Sequence, residues 1–107
     1  MQSDRTCTEA LLDFLEKSPT AFSAAKEVID RLEANGYRRL SFQSAWTLAP
    51  NGRYYVTRNG SAVIAFTVPE GARESFMIAA SHSDSPCFKL KTESEVVAAN
   101  RYLKLNT

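Results

Sequence analysis

The one histidine of this chain stands among hydroxyls and a carboxylate, in Ser81-His82-Ser83-Asp84-Ser85-Pro86. An imidazole changes charge near neutral pH, so it can serve as base, proton carrier or metal ligand. Asp84 follows two residues later, and in an extended segment it falls on the same side as His82. Its carboxylate can accept the N–H of one ring nitrogen. That bond sets the tautomer and raises the basicity of the other nitrogen, the one left for a metal. Spacing alone does not single the pair out, because His-x-Asp is common and a hydrogen-bonded structural histidine is the simpler reading. A catalytic zinc takes three protein ligands, and there is no second histidine. Glu93 and Glu95 could approach a metal, but they read more simply as solvated charges.

Two other chemistries compete for the same stretch. Cys87 lies five residues after His82, so a thiolate activated by an imidazole base can be imagined. The intervening proline gives no assurance that the two side chains meet, and a buried, inert cysteine is the commoner case. Ser81, Ser83 and Ser85 lack the glycines of a nucleophile elbow, which argues against a serine hydrolase.

The elements that must position His82 are legible in outline. Phe76-Met77-Ile78-Ala79-Ala80 is a continuous apolar run, as expected of a strand covered on both faces. It places His82 at a strand's carboxyl end, where α/β sheets bind ligands. Before it, Arg53–Arg58 and Ser61–Val68 alternate with period two around Asn59-Gly60. That dipeptide predicts a hairpin, since a type I′ turn needs positive φ at both central positions. A turn is expected at Pro69-Glu70-Gly71-Ala72.

The first third reads as two helices. Thr6-Cys7-Thr8-Glu9 has the form of a capping box, and Leu11, Leu12, Phe14 and Leu15 give an apolar face behind it. Ser18-Pro19 stops that helix. Thr20 caps a second one, with Phe22, Ala25, Ile29 and Leu32 at helical spacing, and Asn35-Gly36 ends it. Both apolar stripes are read as core. Arg38-Arg39 reads as a solvated loop, and Leu40, Phe42, Trp46 and Leu48 as anchors of an irregular stretch. The tail alternates over Leu103-Lys104-Leu105-Asn106-Thr107 like a strand. The order predicts an α/β fold with a sheet that is mixed at least in part.

Composition excludes some classes. The 107 residues are 44% hydrophobic and 23% charged, which suits one small domain with a usable core. A net charge of +1 argues against a dedicated nucleic-acid or anionic-membrane binder. No stretch approaches the roughly 20 apolar residues of a membrane span, and the amino terminus lacks the form of a secretory signal. Cys7 and Cys87 are far apart with no CxxC spacing, which points to a reduced, cytoplasmic setting.

Beyond these separate signals, Ala80-Ser81-His82-Ser83-Asp84-Ser85-Pro86-Cys87-Phe88-Lys89-Leu90-Lys91 resembles the first metal motif of the aspartyl aminopeptidases. These are co-catalytic zinc exopeptidases. Leu11 to Phe22 resembles that family's opening helix and Ser-Pro break. Tyr54 to Ser61, with Ile64-Ala65-Phe66, resembles its hairpin, and Tyr102 to Asn106 the approach to its inserted domain. The family commonly has threonine where Ser83 stands and often histidine where Ser23 stands. Its members are several times longer.

The resemblance implies an α/β/α zinc-peptidase domain, of which this chain holds the amino-terminal part: two helices, a β-hairpin and a buried strand in a mixed sheet. Residues 1–90 would be the first part of the catalytic domain, and 91–107 the start of an inserted oligomerisation domain. His82 would be a terminal ligand of one zinc. Asp84 would be the catalytic aspartate that orients it. The remaining ligands and the glutamate base of the two-zinc site would lie beyond Thr107, so this chain alone is expected to be inactive. The complete enzyme would release amino-terminal residues, often acidic ones, from peptides and would form a homo-oligomer. A second reading is a non-enzymatic interaction module, or a truncated copy that docks on a full-length homologue through unpaired strand edges.

Overall fold

A computed structural model describes residues 2–71 and 75–107. Helix α1 (Gln2–Glu16) begins four residues before the expected capping box, so Thr6 to Glu9 lie within the helix. Thr8 bonds back to the Asp4 carbonyl at 2.9 Å, the usual fate of a hydroxyl in a helix interior. Helix α2 (Ala21–Ala34) starts where expected. The Thr20 side chain accepts from the Ser23 amide, and the Ser23 hydroxyl accepts from the Thr20 amide. This reciprocal pair satisfies two donors that the first turn would otherwise orphan. At the far end Gly36 adopts φ +81. The Tyr37 and Gly36 amides donate to Leu32 and Glu33, the double bond of a Schellman stop.

Three strands form the first sheet, in the order β1 (Arg38–Arg39), β2 (Arg53–Arg58), β3 (Ala62–Thr67). β1 runs parallel to β2, and β2 antiparallel to β3, so the sheet is mixed as expected. Arg38-Arg39 is therefore a short edge strand and not a loop, although both residues are exposed. The Arg38 guanidinium sits 5.7 Å from the Tyr54 ring centroid, a placement the ring's negative face favours. Asn59 and Gly60 take φ of 55 and 66, as the turn requires. The ladder starts with Arg58 opposite Ala62, which leaves Ser61 as an additional residue outside it.

β2 is the buried heart of this sheet. Tyr54, Tyr55 and Val56 are buried in succession, and Ala24, Ala25 and Val68 join them. Alternation sends neighbouring tyrosines to opposite faces. The Tyr55 hydroxyl reaches Glu33 of α2 at 2.5 Å. Tyr54 packs near Phe66, with ring centroids 5.8 Å apart, and its hydroxyl accepts the Ala49 amide. Gly52 has no room for a side chain, because a Cβ there would collide with the Tyr54 ring.

Elsewhere the expected core is not closed. Leu11, Leu12 and Leu15 of α1 are each more than half exposed, as is Phe22, and so are Phe42, Ile64, Phe76 and Ile78. The radius of gyration is 20.2 Å, against about 13 Å for a compact domain of this length. The run Phe76–Ala80 has no ladder partner and is exposed, so the buried strand is not formed among the described residues. A strand covered on both faces needs a layer on each side, and two helices and a three-stranded sheet do not supply them. The chain bends at Glu70 and Gly71, while Ala72 of the expected turn lies outside the described residues. A second sheet pairs β4 (Glu95–Ala98) with β5 (Tyr102–Leu105). It is a hairpin with Ala99 and Asn100 at φ 53, where the sequence suggested one strand.

Two stability experiments follow from these elements. Replacing Thr20 with alanine removes the α2 cap and should lower stability by about 1 kcal/mol in denaturant titration. Burial first, and then the bond to Glu33, raise the Tyr55 hydroxyl above its ordinary value. The folded state thus keeps a proton that the unfolded chain gives up near pH 10. This contribution is whole below that pH and fades as pH rises through the folded value. Tyr55→Phe should cost about 1 kcal/mol at neutral pH and flatten the alkaline fall in stability; an unchanged alkaline slope contradicts the assignment.

Candidate functional site

His82 and Asp84 are brought together as their spacing suggested. His82 Nδ1 lies 2.8 Å from the Asp84 backbone oxygen and 3.2 Å from its carboxylate Oδ1. Both partners are acceptors only, so Nδ1 must carry the proton and donate. In the neutral ring Nε2 then holds the lone pair. Both side chains are 82% exposed, so that lone pair is accessible. A carboxylate on one ring nitrogen raises the basicity of the other, a property that a metal ligand or a base can use.

The local support is thin. Residues 75–90 run without helix, bend or ladder. The Ser81 hydroxyl bonds to the adjacent His82 carbonyl, at 3.1 Å. The Ser83 hydroxyl reaches across to the Ser61 carbonyl at 3.0 Å and so joins the motif to the hairpin turn. Ser81 to Ser85 form one wall of a cleft of roughly 720 Å³, whose other walls include Phe14, Ala25, Val28 and Val63. The Ser18 hydroxyl lies at this cleft without a hydrogen-bond partner among the described residues.

The donor set fits one corner of a metal site and no more. Among the described residues no three His, Cys, Asp or Glu side chains converge closely enough to hold an ion. Glu93 and Glu95 are exposed on the tail, as solvated charges would be. Cys87 is exposed and free, which corrects the expectation of a buried thiol, and the ring nitrogen that faces a partner faces Asp84. Ser83 links the site to the hairpin, and Ser23 closes the α2 cap. For Ser23 the signal was present in Thr20-x-x-Ser23, a hydroxyl variant of the capping box.

Residues 14–107 match the model of the family described as aminopeptidase I zinc metalloprotease (M18). The chain belongs to the M18 peptidase family. A probable M18 family aminopeptidase 2 of Clostridium acetobutylicum is 39% identical over the whole of this chain, which spans 25% of that protein. Its counterpart in Pseudomonas fluorescens is 44% identical over 82% of this chain and 21% of its own length. The chain therefore spans a quarter or less of these M18 relatives. A solved structure of the Ape4 and Nbr1 complex contains a chain with a TM-score of 0.87, 34% identity and 96% coverage of this one, equal to 20% of its own length. Chaetomium thermophilum mApe1 gives a TM-score of 0.55 and 41% identity over 57% of this chain. The α/β architecture is thus that of M18 aminopeptidases. No helix among the described residues is long and apolar enough to cross a membrane.

One imidazole without further protein ligands cannot hold zinc firmly. Calorimetric titration of the 107-residue chain with zinc should show no tight, saturable binding. A stoichiometric site that disappears in His82→Ala would mean that other groups of the chain join the imidazole.

Proposed function

We propose that this chain is the amino-terminal portion of a zinc aminopeptidase, and that it supplies one zinc ligand, His82, with Asp84 as the catalytic aspartate that orients the ring. The observation that carries the reading is the His82 Nδ1–Asp84 pair, which leaves Nε2 accessible, in a chain of the M18 family. In the complete enzyme His82 would hold one of two zinc ions, which would supply Lewis-acid polarisation of the peptide carbonyl and an activated water. The substrates are peptides, from which amino-terminal residues are released, acidic ones among them. The protein is cytoplasmic and acts as a homo-oligomer. Residues 1–90 belong to the catalytic domain. Residues 91–107 begin an inserted oligomerisation domain, a division supported by the β4–β5 sheet, whose ladder is separate from the first.

A second reading draws on the exposed side chains of Phe76, Met77, Ile78 and Phe88. Such a run favours a non-enzymatic copy that associates with a full-length homologue through its open segment. Co-expression with a full-length relative separates the two: a stable mixed assembly supports association, whereas a monodisperse monomer that never co-purifies opposes it.

The enzymatic reading is tested on two proteins. The 107-residue chain with added zinc should not turn over acidic or leucyl amino-terminal substrates, and turnover abolished by His82→Ala would refute its incompleteness. Residues 1–107 exchanged for the matching quarter of the Clostridium acetobutylicum relative should give an active chimera. His82→Ala in that chimera should abolish activity and lower its zinc content; full activity would sink the ligand assignment.

A further inference from the structure

We propose that Ser83 is a positioning residue for His82, with its hydroxyl anchored on the Ser61 carbonyl so that Nδ1–H stays on Asp84. The inference rests on the reading of His82 as a zinc ligand for its functional meaning, but its geometry stands apart from that reading. Among the described residues, the Ser83 hydroxyl makes the one hydrogen bond that ties residues 75–90 to the rest of the chain. The acceptor is available for a structural reason. Ser61 is the additional residue of the hairpin turn, and the ladder begins beyond it at Ala62. Its amide closes the turn onto Arg58, while its carbonyl is left to accept from Ser83.

Ser83 is also the residue between the two members of the pair. Restraining it restrains the backbone torsions on which the His82–Asp84 approach depends. Asp84 is exposed, with its side chain 82% accessible, so water competes for Nδ1–H. A bond open to water is worth little unless its partners are held in place. The tether, itself exposed, supplies that restraint at a single point on a turn whose two central residues are already in the left-handed region. A threonine would keep the hydroxyl. Valine would keep threonine's shape and lose it.

Because His82 is the chain's one histidine, imidazole ¹⁵N resonances report on it without ambiguity. The experiment uses the full 107-residue chain, labelled, at a pH where the ring is neutral. Wild type and Ser83→Thr should show the Nδ1–H tautomer. Ser83→Val and Ser83→Ala should lose that preference and move toward the Nε2–H form, with little change in the thermal midpoint. If Ser83→Val keeps the wild-type tautomer, or wild type is itself Nε2–H, the proposal is overturned. The zinc content of the His82→Ala chimera tests the ligand reading separately. Should zinc be retained there while the tautomer still follows the hydroxyl, the metal assignment falls and the positioning role stands.

Discussion

Tyr54 and Tyr55 occupy opposite faces of β2, and both are buried. Few adjacent residues in a chain this open meet that condition, because it demands cover on two sides at once. The cover comes from different sources. On one face α2 brings Glu33 to the Tyr55 hydroxyl; on the other, Phe66 and the Gly52 turn close around Tyr54. β2 also has a strand on each edge. The end of α2, the hairpin and the Gly52 turn are thus all registered against one six-residue strand. The His82 segment inherits its place from that strand through the turn that follows it.

What could be read from the sequence divides by the range of the forces involved. Asn59-Gly60 and Thr20 act through their own backbone torsions and neighbouring amides, so the hairpin and the α2 cap were legible. The pairing of His82 with Asp84 is likewise local, two residues apart. Phe76–Ala80 was legible only as an apolar run; whether it is buried depends on layers that no local pattern encodes, and the described residues do not provide them. The same holds for Leu11, Leu12 and Leu15, whose stripe is helical but largely uncovered.

Other differences have smaller causes. Thr6 to Glu9 resembles a helix start, yet good helix formation continues upstream to Gln2, and a cap pattern does not prevent that. Arg38-Arg39 pairs with β2 because backbone bonding at an edge is indifferent to charged side chains that point to water. The β4–β5 turn uses Ala99 and Asn100 at positive φ. Alanine gives no signal of such a turn, since the left-handed region costs it about 1–2 kcal/mol. At the site, the tie between Ser83 and Ser61 spans 22 positions and has no sequence signature.

The unpaired course of residues 75–90 has a consequence for the chain as a polypeptide. Straight, uncovered backbone with accessible side chains is the form in which a protein enters a protease's cleft. Lys89, Phe76 and Phe88 all lie on it and are exposed, so cleavage there would part the helical and hairpin region from the β4–β5 sheet. The segment that pairs His82 with Asp84 is itself, in this chain, shaped like a substrate.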